Sequence, residues 1–325
     1  MTFLNVYDII IPTKANRRHR MSILKQRFLL VSDMHYTTEE RPAELKLKFP
    51  NAIGTLASGD AFGKTQSEKI EKIYSDICAE HVRSPLTAVL VLGDLSVDDY
   101  GYRNLPHNYC KRFKNECMDR LPVRAYALPG NHDSYPAPLW QKVFGYGRQY
   151  SLEFGETVFI MADTFSDTPA SKTDPAGGSP HTKIDDAFLT ECLRKHQNKK
   201  IFLCAHHFDV NKTFSEDAKR SIRENTDIVC LFRGHTHVNS VTDTGTELGN
   251  KKLVDIGGYG YCGKNVNGTW EFNIFEPAWA WGYQIAEIYD DRIKIYHVRT
   301  ANNYRATNGS FQVPETVSDV VEYNI

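Results

Sequence analysis

The chain has 325 residues, 41% hydrophobic and 24% charged, with a formal net charge of −1. That length buries a large core, in one big domain or two small ones. The charge balance excludes a general polyanion binder, so any attraction for phosphate has to be local.

The opening stretch, "MTFLNVYDIIIPTKANRRHR", carries Asp8 in its short apolar piece and a basic cluster after it. A secretory leader has the reverse order. No window approaches the roughly 18 apolar residues of a membrane span. From about residue 27 onward short apolar, β-branched runs recur: "RFLLVSD" (27–33), "TAVLVLGD" (87–94), "VRAYALPG" (123–130), "TVFIMAD" (157–163), "KIFLCAHH" (200–207), "DIVCLFRGH" (227–235) and "KLVDIGG" (252–258). Several are apolar throughout, as strands covered on both faces are. Helical patterns lie between them. Ile70, Ile73, Tyr74 and Ile77 share one helix face, as do Phe113, Cys117 and Leu121, and Ile184, Phe188 and Cys192. Glu216–Asn225 is a shorter candidate. Strands alternating with helices give an α/β fold. Near the end, "YQIAEIY" and "RIKIYHVR" alternate with period two around Asp290-Asp291, a hairpin signature, so the sheet is expected to be mixed.

We expect an N-terminal extension over 1–20, one domain over 21–300 and a C-terminal tail over 301–325. Two long loops, at about 36–64 and 164–182, are of a length that is usually functional or disordered. The seven cysteines are scattered and form no CxxC, which points to free thiols in a reducing compartment. A cytoplasmic protein without a membrane partner is the expectation.

Two motifs mislead. "GYGYCG" (258–263) follows a strand and matches G-x-G-x-x-G, but "KNVNGTWEFNIF" after it has no helical period, and a dinucleotide site needs a helix there. "FGKT" (62–65) resembles the end of a phosphate-binding loop, but Ser58 stands where its first glycine belongs.

The chemistry gathers where strands end. The first ends Asp33-Met34-His35, the second Gly93-Asp94, the third Gly130-Asn131-His132-Asp133, a later one His206-His207, and the next Gly234-His235-Thr236-His237. The carboxyl ends of strands are where open α/β sheets bind ligands. Each piece alone has a bland reading as a turn or a satisfied polar group; five in register do not. Histidine and aspartate without thiolates suit first-row metals such as Mn, Fe, Zn or Ni better than Ca. So many ligands suit two ions. A carboxylate can bridge them, and the net positive centre would draw phosphate to a neutral chain.

In order and spacing, the run D-x-H, GD, GNHD, a lone His and GHxH over about 27–260 resembles the calcineurin-like metallophosphoesterase superfamily. The resemblance implies a four-layer α/β/β/α sandwich of two mixed sheets flanked by helices. It implies that Asp33, His35, Asp94 and His237 hold one metal. Asp94, Asn131, His206 and His235 would hold the other, with Asp94 bridging. His132 is then off the metals, facing the phosphate as general acid or charge stabiliser, while a hydroxide bridging the ions attacks phosphorus. Purple acid phosphatases are excluded, because His35 and Val97 stand where that branch has Gly and Tyr. Protein phosphatases fit poorly, because "GDLSVDDYG" lacks the aspartate and arginine of their GDxVDRG. Asp98 and Asp133 are then the candidate partners of His132. "GDLSVDDYGY", "LPGNHD" and "AHH" are similar to the cyclic-nucleotide-phosphodiesterase branch, with Phe208 in place of its Pro. His206 is therefore the ligand of the pair, and His207 a neighbour facing the substrate or a plain loop residue.

The expected activity is hydrolysis of a small-molecule phosphoester, a diester before a monoester. The alternatives are a monoesterase or protein phosphatase on the same site and a non-catalytic scaffold of the same fold. No basic stripe interleaved with aromatics marks a nucleic-acid partner. The aromatic run "TWEFNIFEPAWAWGY" (269–283) suits packing of the hairpin or stacking of a base.

Overall fold

The computed structural model describes residues 22–36, 66–96, 108–168, 178–259, 264–266, 269–271, 282–299 and 316–324. Two six-stranded mixed sheets carry the fold. The first holds β1 (Leu24–Val31), β2 (Ala88–Leu92), β3 (Ala125–Leu128), β12 (Gly282–Tyr289), β13 (Arg292–Arg299) and β14 (Thr316–Asn324), in the order β14-β13-β12-β1-β2-β3. The second holds β4 (Tyr150–Phe154), β5 (Thr157–Met161), β6 (Lys200–Ala205), β7 (Ile228–Arg233), β8 (Asn239–Asp243) and β9 (Lys252–Ile256), in the order β4-β5-β6-β7-β9-β8. A small ribbon pairs β10 (Lys264–Val266) with β11 (Thr269–Glu271).

The side-chain alternation of each strand explains the layering. In β1, Phe28 and Leu30 face the other sheet, against Phe159, Phe202 and Phe232, while Leu29 and Val31 face helices. Those helices are α1 (Gln66–Arg83), α2 (Tyr109–Glu116) and α3 (Ala137–Phe144), which bring Ile73, Phe113 and Trp140 to that face. On the far side α4 (Asp186–Lys195), the single turn α5 (Val210–Thr213) and α6 (Glu216–Glu224) cover Ile201, Leu203 and Leu231. Strands apolar throughout are thus sandwiched between a sheet and a helix layer, which gives the four layers α/β/β/α. Each fully buried Phe in the middle contributes roughly 1.5–3 kcal/mol.

The helix faces read from the sequence are found in part: Cys117 caps α2 and Leu121 follows a separate 3-10 turn, and Ile184 precedes α4, whose cap is Asp185, with its carboxylate accepting from the N–H groups of Ala187 and Phe188. The hairpin closes with Ile288 opposite Ile293. β4, β8, α3, α5 and β14 were not expected. The first two are short outer strands without a clean alternation, and α3 has only eight residues between Pro136 and Gly145. β14 pairs antiparallel with β13, so the segment read as a tail from 301 adds an edge strand to the first sheet. The loop 37–65 with its "FGKT", all of 97–107, and 260–263 of "GYGYCG" lie outside the described residues. So do Phe272, Phe275, Trp279 and Trp281 of the aromatic run, whereas Tyr283 is buried and its hydroxyl donates to Glu80 at 2.9 Å. No helix among the described residues is long and apolar enough to cross a membrane. Six described cysteines are free thiols.

Candidate metal centre

β1, β2 and β3 are parallel neighbours in one sheet, β6 and β7 in the other, and the loops leaving them meet at one edge. Hydrogen bonds carry the register past the strand ends. The N–H groups of Asp33 and His35 donate to the carbonyls of Gly93 and Asp94. The N–H of His235, in the second sheet, reaches across to Asp33 Oδ2 at 3.0 Å. That crossing bond brings the two halves of the centre together.

Seven described non-glycine residues have positive φ, and five of them are Asp33, His35, Asp94, His235 and His237. Side chains adopt this left-handed backbone at a cost of roughly 1–2 kcal/mol each. Strain of this kind persists where surrounding bonds over-determine it, and it clusters at functional sites. The two others, Asn198 and Asn250, are the residue type that tolerates it best.

Two glycines let the loops approach. A Cβ on Gly130 would lie 2.2 Å from Asp94 Oδ1, and one on Gly93 2.5 Å from His206 Nδ1. Gly93 also has a φ of 86°. Gly130 is therefore required for close approach and not for a left-handed turn.

The donor atoms converge in three groups. Asp33, His35 and His237 form one, Asp94, His206 and His235 another, and His35, Asp94 and His132 a third that overlaps both. His237 Nε2 lies 3.1 Å and His35 Nε2 3.7 Å from Asp33 Oδ1. Asp94 Oδ2 lies 3.6 Å from His35 Nε2 and 3.2 Å from His206 Nε2, so one oxygen faces both groups. Donors about 2.1 Å from a shared ion stand roughly 3–3.5 Å apart. Asn131 joins the second group, with Oδ1 3.0 Å from His235 Nδ1.

Hydrogen bonds elsewhere aim these atoms. His206 Nδ1 lies 2.7 Å from the carbonyl of Leu92, which can only accept, so Nδ1 carries a proton in either charge state and Nε2 is the atom left to face the centre. Asp33 Oδ2 accepts from Ser32 Oγ at 2.6 Å, and Asp94 Oδ1 from the N–H of His132 at 2.9 Å. The other oxygen of Asp33, Oδ1, and His206 Nε2 are buried without a hydrogen bond. Buried polar atoms left so are costly unless something else satisfies them, and cations do.

Charge points the same way. Burial alone would raise the carboxyls of Asp33 and Asp94, but the imidazoles, His237 and His206 first, hold both below the usual range. Burial pushes His35 and His235 down, keeping them neutral. His206 moves up to about 9: burial opposes this, and Asp94 and Asp33 outweigh it. The centre is thus two ionised, buried carboxylates among imidazoles of which His35 and His235 are neutral, an arrangement suited to divalent cations.

The remaining expected residues divide. His132 is half-buried and its ring centroid lies 5.2 Å from that of His35. It also falls within ligand reach of His35 and Asp94, so distance alone does not set it apart from the ligands. Asp133 is fully buried and accepts from the N–H groups of Gly130, Leu95 and Ser96 and from the Cys110 thiol. It clamps the β2 and β3 loops together. Burial, then Asp94, pushes its carboxyl up to about 6. Asp98 lies outside the described residues. The His207 ring is 4.6 Å from His235, and burial with Arg233 lowers it to about 3.

Sequence reading missed the contribution of the 164–182 loop. Phe165 packs 5.6 Å from His206 and 5.8 Å from His235, His181 lies 5.4 Å from His207, and the N–H of Ser179 donates to the carbonyl of Asn131. The loop's unusual length was the available signal.

A family model described as calcineurin-like phosphoesterase matches residues 26–239. Among solved structures, "Structure of PhoD" superposes with a TM-score of 0.52 at 10% identity, over 93% of this chain and 70% of that one. GAP50, the anchor in the inner membrane complex of Plasmodium, gives 0.47 at 12% identity, over 91% and 90%. Vacuolar protein sorting 29 from Cryptosporidium parvum gives 0.37 at 13%, over 93% and 100%. At such identities a likeness concerns the fold alone, and the PhoD superposition is the one of these three that carries it. No curated protein matches the chain.

Proposed function

The chain belongs to the calcineurin-like phosphoesterase family, and from that premise we propose that it is a dinuclear-metal phosphoesterase. The observation that carries the proposal is Asp94 Oδ2, which faces His35 on one side and His206 on the other, at the overlap of two donor groups. Asp33, His35, Asp94 and His237 hold one ion. Asp94, Asn131, His206 and His235 hold the other. Mn, Fe or Zn suit this donor set, and Ni fits it too. Cations bound there would neutralise charge on phosphoryl oxygens and lower the pKa of water, so that hydroxide is available as the nucleophile near neutral pH.

The chain's own residues do the rest. Asn131 ligates without adding negative charge. His132 is half-buried, with its ring beside that of His35. Hydrolysis breaks the phosphorus–oxygen ester bond, and the departing oxygen needs a proton. His132 donates it, or stabilises charge on the phosphoryl oxygens. The substrate is a small-molecule phosphoester, with a diester favoured by the likeness of "GDLSVDDYGY", "LPGNHD" and "AHH" to the cyclic-nucleotide branch. The location is cytoplasmic, and neither a membrane nor a nucleic acid is a partner.

The test is a screen of purified protein, metal by metal, against mono-, di- and cyclic phosphoesters. Turnover that chelation abolishes and Mn²⁺ restores is the expected result. Two bound metals without turnover of any ester would make the protein a scaffold. No bound metal, with activity indifferent to chelator, would overturn the reading.

A further inference from the structure

β9 reads "KLVDI", and the exception in that apolar run is Asp255, only 1% exposed. Four donors meet its carboxylate. Arg233 Nε reaches Oδ1 at 2.5 Å and Arg233 Nη2 reaches Oδ2 at 3.2 Å. Thr236 Oγ1 donates to Oδ1 at 2.8 Å and Ser240 Oγ to Oδ2 at 2.7 Å. The third arm of the guanidinium, Nη1, donates to the carbonyl of Phe208 at 2.6 Å.

These bonds reach both loops by which the second sheet enters the centre. Thr236 sits between His235 and His237, whose φ values are 66° and 55°. Two left-handed residues flanking a β-branched one do not hold their shape unaided. The Thr236 hydroxyl ties the middle of that turn to a sheet strand. Phe208 lies two residues past His206, so Arg233 fixes the exit of β6 from the same carboxylate. We propose that Asp255 is a positioning residue for the centre, acting through Thr236 on His235 and His237 and through Arg233 on His206. The inference rests on the reading of those histidines as metal ligands. Asp255 sets the spacing of three imidazoles drawn from two loops.

An isolated buried ion pair would affect folding alone, so the test separates the two. Metal-free wild type, Thr236→Val and Thr236→Ser are titrated with Mn²⁺ by calorimetry, with the thermal midpoint of each metal-free form measured alongside. Valine keeps the shape and leaves Asp255 paired with Arg233. Thr236→Val is expected to bind at least one ion roughly 10–100-fold more weakly, the usual cost of losing an orienting partner. Thr236→Ser, which keeps the hydroxyl, is expected to bind as wild type does, and both midpoints are expected to stay near the wild-type value. Thr236→Ala supplies the same comparison if valine is not accommodated. Wild-type affinity in Thr236→Val, or equal weakening in valine and serine variants, overturns the inference and leaves the metal centre standing. A wild-type protein that takes up no Mn²⁺ overturns the metal-centre reading itself, and the inference with it.

Discussion

Phe202 and His206 are four residues apart, the first inside β6 and the second just past its end, and both are fully buried. Phe202 stacks on Phe159 with centroids 5.0 Å apart and lies between the sheets with Phe232. No residue of that inter-sheet cluster has a positive φ, and its members are apolar. His206 lies among residues with the opposite character: left-handed backbones, ionised carboxylates and polar atoms without hydrogen bonds. The difference teaches where each task is carried. The core stabilises ordinary geometry, and its rigidity lets the edge hold strained, unsatisfied groups at fixed spacing. If so, changes at the edge alter metals and chemistry with the fold intact, and changes in the core alter stability with the chemistry intact.

The largest effect is expected at Asp94, because its Oδ2 faces both donor groups, nearer to His206, at 3.2 Å, than Asp33 Oδ1 is at 3.9 Å. Asp94→Asn is expected to cost more kcat/KM than any other single ligand change, beyond the roughly 10²–10⁴-fold reach of one acid–base group. Elemental analysis of the same variant is expected to show less than two metals per chain. A larger loss in Asp33→Asn would move the bridge elsewhere.

His132→Ala comes next and divides the edge itself. It is expected to retain two metals while losing roughly 10²–10⁴ in rate. As general acid, His132 matters little for a nitrophenolate leaving group and greatly for an alkoxide. Equal losses across a leaving-group series would assign it charge stabilisation instead. Loss of a metal would make it a ligand, as its reach to His35 and Asp94 allows.

Phe202→Ala tests the other half of the comparison. It is expected to destabilise by about 3–5 kcal/mol in denaturant titration, the usual cost of truncating a core aromatic. The folded fraction is expected to keep its metals and its kcat. A folded Phe202→Ala protein without metals would show that core and edge are not separable in this way.

A smaller effect distinguishes adjacent edge residues. His206→Ala is expected to lower occupancy of the second ion, and His207→Ala to leave both in place. The reverse in a metal titration would exchange their roles.

How much of this was legible in the sequence follows from the same contrast. The strands showed themselves because residues such as 28–31 and 88–92 are apolar on both faces. The candidate site residues stood out because Asp, His and Asn at the ends of such runs have no packing reason to be there. The pairing of carboxylates with imidazoles was not readable from spacing; it came from the family resemblance. The role of Asp133 as a clamp depends on backbone N–H groups of Leu95 and Ser96, which sequence separation hides. Phe165 and His181 reach the centre through a loop whose path no periodicity encodes. The outer elements β4, β8 and β14 escaped because edge strands need neither a continuous apolar run nor strict alternation.

The subtlest expected effect concerns a proton, and the apolar core has no counterpart to it. Without metal, the Asp94 and Asp33 carboxylates outweigh burial and hold His206 up to about 9, above its ordinary 6.5. At pH 7 the ring is therefore protonated. Nδ1 donates to the Leu92 carbonyl in either state, so the proton at issue is on Nε2, which faces Asp94 Oδ2 at 3.2 Å. Coordination needs that lone pair. Metal uptake at pH 7 is thus expected to release about one proton per chain from this residue. His35 and His235, already neutral through burial, contribute none. Affinity for the second ion is expected to rise about tenfold per pH unit below about 9 and to level off above it. Stability of the metal-free protein runs the other way. A raised folded-state pKa stabilises fully below 6.5, and that contribution is lost as pH rises through about 9. Calorimetry in two buffers of different ionisation heat reads the proton, and thermal midpoints of the metal-free form read the stability. Metal uptake at pH 7 without proton release, or midpoints that rise between pH 6.5 and 9, would show that His206 is neutral before the metal arrives.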